Sequence, residues 1–84
     1  MEDVKGGVKL RNKRLEMKML AMIKNYIKEH GYSPTVREIA EILDIKSTAT
    51  VQRYLNILEM EMYITKADFL PRTIQVLKTP NYFV

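Results

Sequence analysis

SPTVREIAEILDIKSTATVQRYLNILE, residues 33–59, holds two short amphipathic segments with no glycine between them, and from Ile45 to Leu58 it contains no acid. Pro34 pushes Ser33 out of helical geometry, so the preceding structure ends here. Thr35 and Glu38 then have the spacing of a capping box. The Thr hydroxyl accepts from the Glu38 amide, and the carboxylate reaches back to the Thr35 N–H. Four-residue matches of this kind arise by chance, but this one coincides with the start of a periodic run. Ile39 and Leu43, with Val36 and Ala40, form the stripe of a short helix from Thr35 to about Leu43. Asp44, Ile45 and Lys46 make a turn, and Ser47 is a fitting N-cap for a further helix reaching about Met60. Val51, Leu55 and Leu58 stand at i, i+4 and i+7 and mark its buried face. At about 100° per residue, Ala49, Arg53 and Asn56 lie opposite, Gln52 on the flank, and Thr50 and Tyr54 along the other edge.

Upstream, Met19, Leu20, Ile23, Tyr26 and Ile27 recur at helical spacing while Lys18, Lys24, Lys28 and Glu29 fall elsewhere, and Gly31 supplies a stop. This predicts a first helix from about Asn12 to His30, its basic side a solvated face opposite the core stripe. Residues 1–11, with Gly6-Gly7 and no period, read as a flexible arm; its Lys5, Lys9 and Arg11, with Lys13 and Arg14, are solvated charge in the plainer reading. Downstream, YITK and RTIQVL are β-branched and joined by ADFLP, which predicts a hairpin. Ile74 and Val76 face one side of it, and Thr73, Gln75 and Leu77 the other. Pro71 keeps the loop from extending the ladder. Residues 78–84 are a tail or linker. A single domain over residues 12–77, mainly α with a small β-hairpin, has the element order of a winged helix-turn-helix.

Composition removes several classes. At 84 residues there is one core, and 46% hydrophobic content is ordinary for a folded domain. No cysteine is present, His30 is the only histidine, and Ser33 and Ser47 are the only serines. Neither a disulfide scaffold, a multi-histidine metal site nor a Ser-His triad can be built from these. Glycines 6, 7 and 31 make no phosphate-cradling loop. The expectation is therefore no enzyme, no cofactor, no metal and no small-molecule ligand. No apolar run has membrane length, and MEDVKGGVKL lacks the apolar stretch of a signal peptide, so a cytoplasmic, nucleoid-associated location is expected. Fourteen Lys plus Arg against ten Asp plus Glu leave +4, which suits a polyanion.

The outward face of the third helix suits the major groove of double-stranded DNA, where Arg reads guanine, Gln reads adenine and Thr meets a thymine methyl. The absence of acid there avoids repulsion from phosphates. Arg53 leads the candidates for base contact, beside Ser47, Ala49, Thr50 and Gln52. Candidates for the DNA backbone are Thr35, Arg37, Lys46, Thr48, Asn56, Lys66 and Arg72, the amides at the helix start offering a further anion site. For Thr35 the cap alone is the plainer account, and for Lys46, Lys66 and Arg72 an ordinary surface charge is an equal alternative. Tyr54 and Tyr63 read as packing residues, Met17, Met19, Met22, Met60 and Met62 as core or gap-fillers, and His30 as a polar helix end.

GYSPTVREIAEIL, KSTATVQRYLNILE and PRTIQVL together resemble the N-terminal DNA-binding domain of the LexA repressors of the bacterial DNA-damage (SOS) response, over roughly Glu16 to Leu77. The resemblance implies a winged helix-turn-helix repressor domain. Its third helix enters the major groove of a palindromic operator, and its wing lies near the backbone or minor groove. The family usually has glycine ahead of the Tyr-Ile pair that opens the wing, where Met62 stands here. A left-handed non-glycine residue costs about 1 kcal/mol, so a local rebuilding of the helix end is expected. Gln52, Arg53 and Tyr54 fall where members differ, so the operator sequence does not transfer. Full-length members continue into a domain with a Ser-Lys dyad that cleaves and dimerises the repressor. The adjacent Lys46 and Ser47 match DNA-binding positions, so they are not that dyad. Self-cleavage is not expected of these residues, whether they are a fragment of a repressor or a stand-alone regulator. Two readings stand: a DNA-binding regulator, as a homodimer on a palindrome, or a protein-interaction module using Phe69-Leu70 and Tyr82-Phe83-Val84.

Overall fold

The computed structural model describes residues 13–80; the basic arm of residues 1–11 and the YFV end of the tail lie outside them. The elements are α1 (Lys13–His30), α2 (Val36–Ile42), α3 (Thr48–Met60), β1 (Ile64–Thr65) and β2 (Gln75–Val76). This is the winged helix-turn-helix order.

Each helix starts on a side-chain cap or ends on a left-handed residue, and these local devices fix the connections. At the start of α2, Thr35 Oγ1 accepts from Glu38 N at 3.1 Å while Thr35 N donates to the Glu38 carboxylate at 3.0 Å, closing the capping box. Ser47 caps α3, its Oγ accepting from Thr50 N at 3.4 Å. At the other ends, Gly31 (φ +82°) donates to Ile27 O at 2.8 Å. Asp44 (φ +57°) closes α2 through Ile45 N to Ala40 O at 2.8 Å and Asp44 N to Glu41 O at 3.3 Å. Met62 (φ +67°) closes α3 through Tyr63 N to Leu58 O at 2.9 Å and Met62 N to Glu59 O at 3.0 Å. The last two are Schellman caps. The helix-turn-helix therefore turns without glycine because Asp tolerates the left-handed region better than most residues. The expected rebuilding at Met62 is not found: Met62 itself takes the left-handed conformation, and the helix closes on it.

The core is one cluster drawn from all three helices and the hairpin: Met19, Leu20 and Ile23 of α1; Ile39 and Ala40 of α2; Val51, Tyr54, Leu55 and Leu58 of α3; and Ile64 and Ile74. Tyr54 is buried, as a packing role requires. Met60 and Met62 are not core: both are exposed, Met60 because it lies on the side of α3 opposite Val51 and Leu58, and Met62 at the left-handed cap.

The hairpin is shorter than the sequence suggests. β1 and β2 pair antiparallel over two residues each, Ile64 with Val76 and Thr65 with Gln75. Left-handed Phe69 (φ +68°) and Arg72 (φ +57°) bend the chain away from extended geometry, and the Thr73 hydroxyl binds Ala67 N and O and Leu70 O in place of ladder bonds.

Candidate nucleic-acid interface

α3 displays a stripe set by its period. Val51, Tyr54, Leu55 and Leu58 are buried, which leaves Thr48, Ala49, Gln52, Arg53 and Asn56 exposed along the opposite side, with Thr50 half-buried at the edge. Lys46 and Ser47 are exposed at its entrance, and Arg37 is exposed on the first turn of α2. Arg37, Lys46 and Arg53 form no ion pair with any described residue. Their charge is open to solvent, and no acid of α3 precedes Glu59. A shallow cleft of about 300 Å³ separates this face from the wing, with Arg37 and Gln52 on one wall and Ala67 to Pro71 on the other.

Two of the expected backbone cations have other engagements. Arg72 makes a bidentate pair with Glu38, Nη1 to Oε1 at 3.1 Å and Nη2 to Oε2 at 2.9 Å, and donates to Ser33 O at 3.1 Å. It also stacks over the Tyr32 ring at 4.7 Å. Glu38 in turn accepts from Tyr26 Oη at 3.1 Å. The Arg72 guanidinium, the Thr35 amide and Tyr26 together hold the Glu38 carboxyl at about 2, well below its ordinary value of 4.5, and the carboxylate raises the Arg72 pKa in return. Lys66 pairs with Asp68 at 2.9 Å and Glu59 at 3.6 Å, its side chain only 8% exposed; the Asp68 bond, then the nearby Glu59 charge, raise its pKa. Both cations tie the wing down within the fold instead of standing free, and no local sequence signal announced it. Thr35 is likewise engaged as a cap.

The exposed face thus gathers Lys46, Ser47, Thr48, Ala49, Gln52, Arg53 and Asn56 on α3 and its entrance, with Arg37 of α2 lining the same cleft as Gln52. The LexA DNA binding domain family matches residues 9–73, most of the chain. The chain belongs to the LexA DNA-binding domain family. Among LexA repressors, it is 44% identical over 68 residues to that of Lactiplantibacillus plantarum, covering 81% of this chain and 31% of the relative. The LexA repressor of Caldicellulosiruptor saccharolyticus is also 44% identical, over 64 residues, covering 76% of this chain and 32% of the relative. That of Anaeromyxobacter dehalogenans is 43% identical over 59 residues, covering 70% and 26%. This LexA-type domain therefore spans about a third or less of the curated relatives it matches. Among the described residues, no group of acids and histidines is arranged to hold a metal ion, and no helix is long and apolar enough to cross a membrane.

Proposed function

We propose that this chain binds double-stranded DNA in a sequence-specific way as the operator-reading part of a LexA-like transcriptional repressor. The observation that carries the reading is the exposed, acid-free face of α3, with Gln52 and Arg53 at its middle and unpaired cations at its edges. Inserted in the major groove, α3 brings Arg53 to a guanine and Gln52 to an adenine, with Ser47, Ala49 and Thr50 against neighbouring base edges. Lys46, Arg37, Asn56 and the amides around Thr48 meet flanking phosphates and set the register. Lys66 and Arg72 act one step back, by holding the wing in place, and Thr35 by capping α2. A single module of this kind buries roughly 600–1,000 Å² on DNA. Two copies on a palindromic operator are therefore expected, and repression follows by occlusion of a promoter.

Selection of bound duplexes from a random pool tests this, followed by titration of the winner against a scrambled duplex at two salt concentrations. An inverted-repeat winner preferred by about a thousandfold supports the reading. So does loss of that preference in the Gln52→Ala/Arg53→Ala protein. Affinity that tracks salt alone, with no motif, leaves only non-specific attraction and favours a protein-interaction module.

A further inference from the structure

We infer that the tip of the wing is an apolar wedge, Phe69 with Leu70, that enters the minor groove of duplex DNA and unstacks a base step beside the half-site read by α3. The inference rests on the DNA-binding reading above. Phe69 is 101% exposed and Leu70 62%, so neither side chain is there for the core. Phe69 also sits at φ +68°, a region that bulky residues avoid. Such strain persists where the surroundings over-determine it, and it concentrates at functional segments.

The surroundings do over-determine it. Thr73 Oγ1 accepts from Ala67 N at 3.0 Å and is within 3.1 Å of both Ala67 O and Leu70 O. Lys66 is tied to Asp68, and Arg72 to Glu38. None of these bonds uses the side chain of Phe69 or Leu70. The turn is thus built as a rigid support, and its two largest apolar groups are left facing water.

Location selects the partner. Ala67 to Pro71 form one wall of the cleft whose other wall carries Arg37 and Gln52, so the tip borders the outward face of α3. A helix seated in the major groove brings a wing on that side toward the adjoining minor groove. Asp68 opposes this approach, and Lys66, 2.9 Å from Asp68 and 3.6 Å from Glu59, offsets only part of that repulsion, so the apolar contact has to outweigh the rest. Phe, Leu and Pro, the sequence of residues 69–71, are residue types that proteins insert between base steps to kink DNA. Insertion is cheapest at flexible TA or CA/TG steps, so the wedge adds a sequence preference at a position α3 does not touch.

The experiment uses the whole 84-residue chain and the duplex it selects, labelled at its ends for energy transfer and carrying 2-aminopurine at successive flanking steps. The wild type is expected to bend the duplex by about 20° or more and to brighten one probe. Phe69→Gly removes the ring and suits the left-handed backbone, so loss of fold does not confuse the result. It is expected to lose the bend and the brightening and to bind about tenfold more weakly. Leu70→Ser is expected to move both readouts in the same direction. Unchanged affinity and bend in Phe69→Gly overturn the wedge. So does a Phe69→Gly protein that loses only self-association in sedimentation, which would make the tip a contact between copies. The two readings fail separately. A wild type with no preference over a scrambled duplex sinks the DNA-binding reading and the wedge with it. Specificity lost in Gln52→Ala/Arg53→Ala, with Phe69→Gly indistinguishable from wild type, sinks the wedge alone.

Discussion

Gly31→Ala is a substitution whose energy can be worked almost entirely from the backbone. Gly31 follows α1, has φ +82°, and its N–H donates to Ile27 O at 2.8 Å, so it occupies the left-handed position that closes the helix. A β-carbon built there meets nothing within 4 Å, which removes both a clash and a packing gain from the account. What remains is conformational. The left-handed region costs an L-residue roughly 1–2 kcal/mol. Alanine recovers about 0.4–1 kcal/mol of that by having fewer unfolded conformations than glycine. The net is a loss of about 1 kcal/mol. In urea, where the slope for a small protein is about 1 kcal/mol per molar, the midpoint should fall by about 1 M or somewhat less. Heating should show a melting temperature lower by roughly 4–8 °C. Gly31→Asn should fall between the two proteins, because asparagine tolerates this region better than alanine. An alanine variant as stable as the wild type would refute the argument: Gly31 would then be a simple helix break, and its conformation a result of the turn rather than a requirement for it.

Phe69→Gly applies the same reasoning with the sign reversed: no packing is lost from a fully exposed ring, so relief of the left-handed strain less glycine's entropy should stabilise the domain by about 0.5 kcal/mol. Urea unfolding checks it, and a loss of stability would mean the ring makes contacts in solution. Glu38, with its carboxyl held at about 2 against an ordinary 4.5 by Arg72 first and the Thr35 amide next, contributes stability that is present above 4.5 and lost as pH falls toward 2. Glu38→Gln should be less stable than wild type at neutral pH, and the gap should close on acidification; a constant gap in pH-dependent unfolding would show that charge is not the source. Lys46→Ala should weaken binding to selected and scrambled duplexes alike and lower the salt slope by about one, read from affinities over a salt series, since a phosphate contact carries no sequence information. A change in the selected motif would instead make Lys46 a base reader.

What could be read from the sequence was local. The Thr35–Glu38 box, the Ser47 cap and the stripe of Val51, Leu55 and Leu58 lie within a turn or two of their partners, so spacing alone located α2, α3 and the outward face of α3. The hairpin was overestimated because β-branched composition does not register two left-handed residues, Phe69 and Arg72, that stop the strands. Met60 and Met62 are apolar in type, yet Met60 lies on the side of α3 turned away from the core stripe and Met62 is the exposed left-handed cap residue. Glu16 is fully buried on α1 with Lys13 Nζ at 3.8 Å; its position continues the stripe of Met19, Leu20 and Ile23 at helical spacing, but a carboxylate is a residue type that composition assigns to the surface. The engagement of Arg72 within the fold was not legible either. Its partners, Glu38 and Ser33, lie 34 and 39 residues earlier in the chain, and Ile74 N finds Ser33 Oγ from a distance of 41. Contacts at that separation leave no periodic trace.

Those long-range bonds explain how so small a wing holds its shape. A two-residue ladder cannot support itself in water. Here the wing is fastened at three levels: Ile64 and Ile74 are buried in the core, Ser33 bonds Ile74 N, and Arg72 grips Glu38 and Ser33 O. The carboxylate that Arg72 grips is the one that completes the capping box of α2, and it also receives Tyr26 of α1. Orientation of the wing and the start of the helix-turn-helix therefore depend on one side chain. Lysine in place of Arg72 would keep the charge and lose the paired geometry, because a single ammonium cannot match both carboxylate oxygens in plane. The cations consequently divide by what they touch. Arg72 and Lys66, matched to acids, set where the wing sits, while Arg37, Lys46 and Arg53, unmatched, carry the positive charge of the open face. Substitutions in the first group should disturb how the reading elements are arranged, and those in the second how strongly they attract a polyanion.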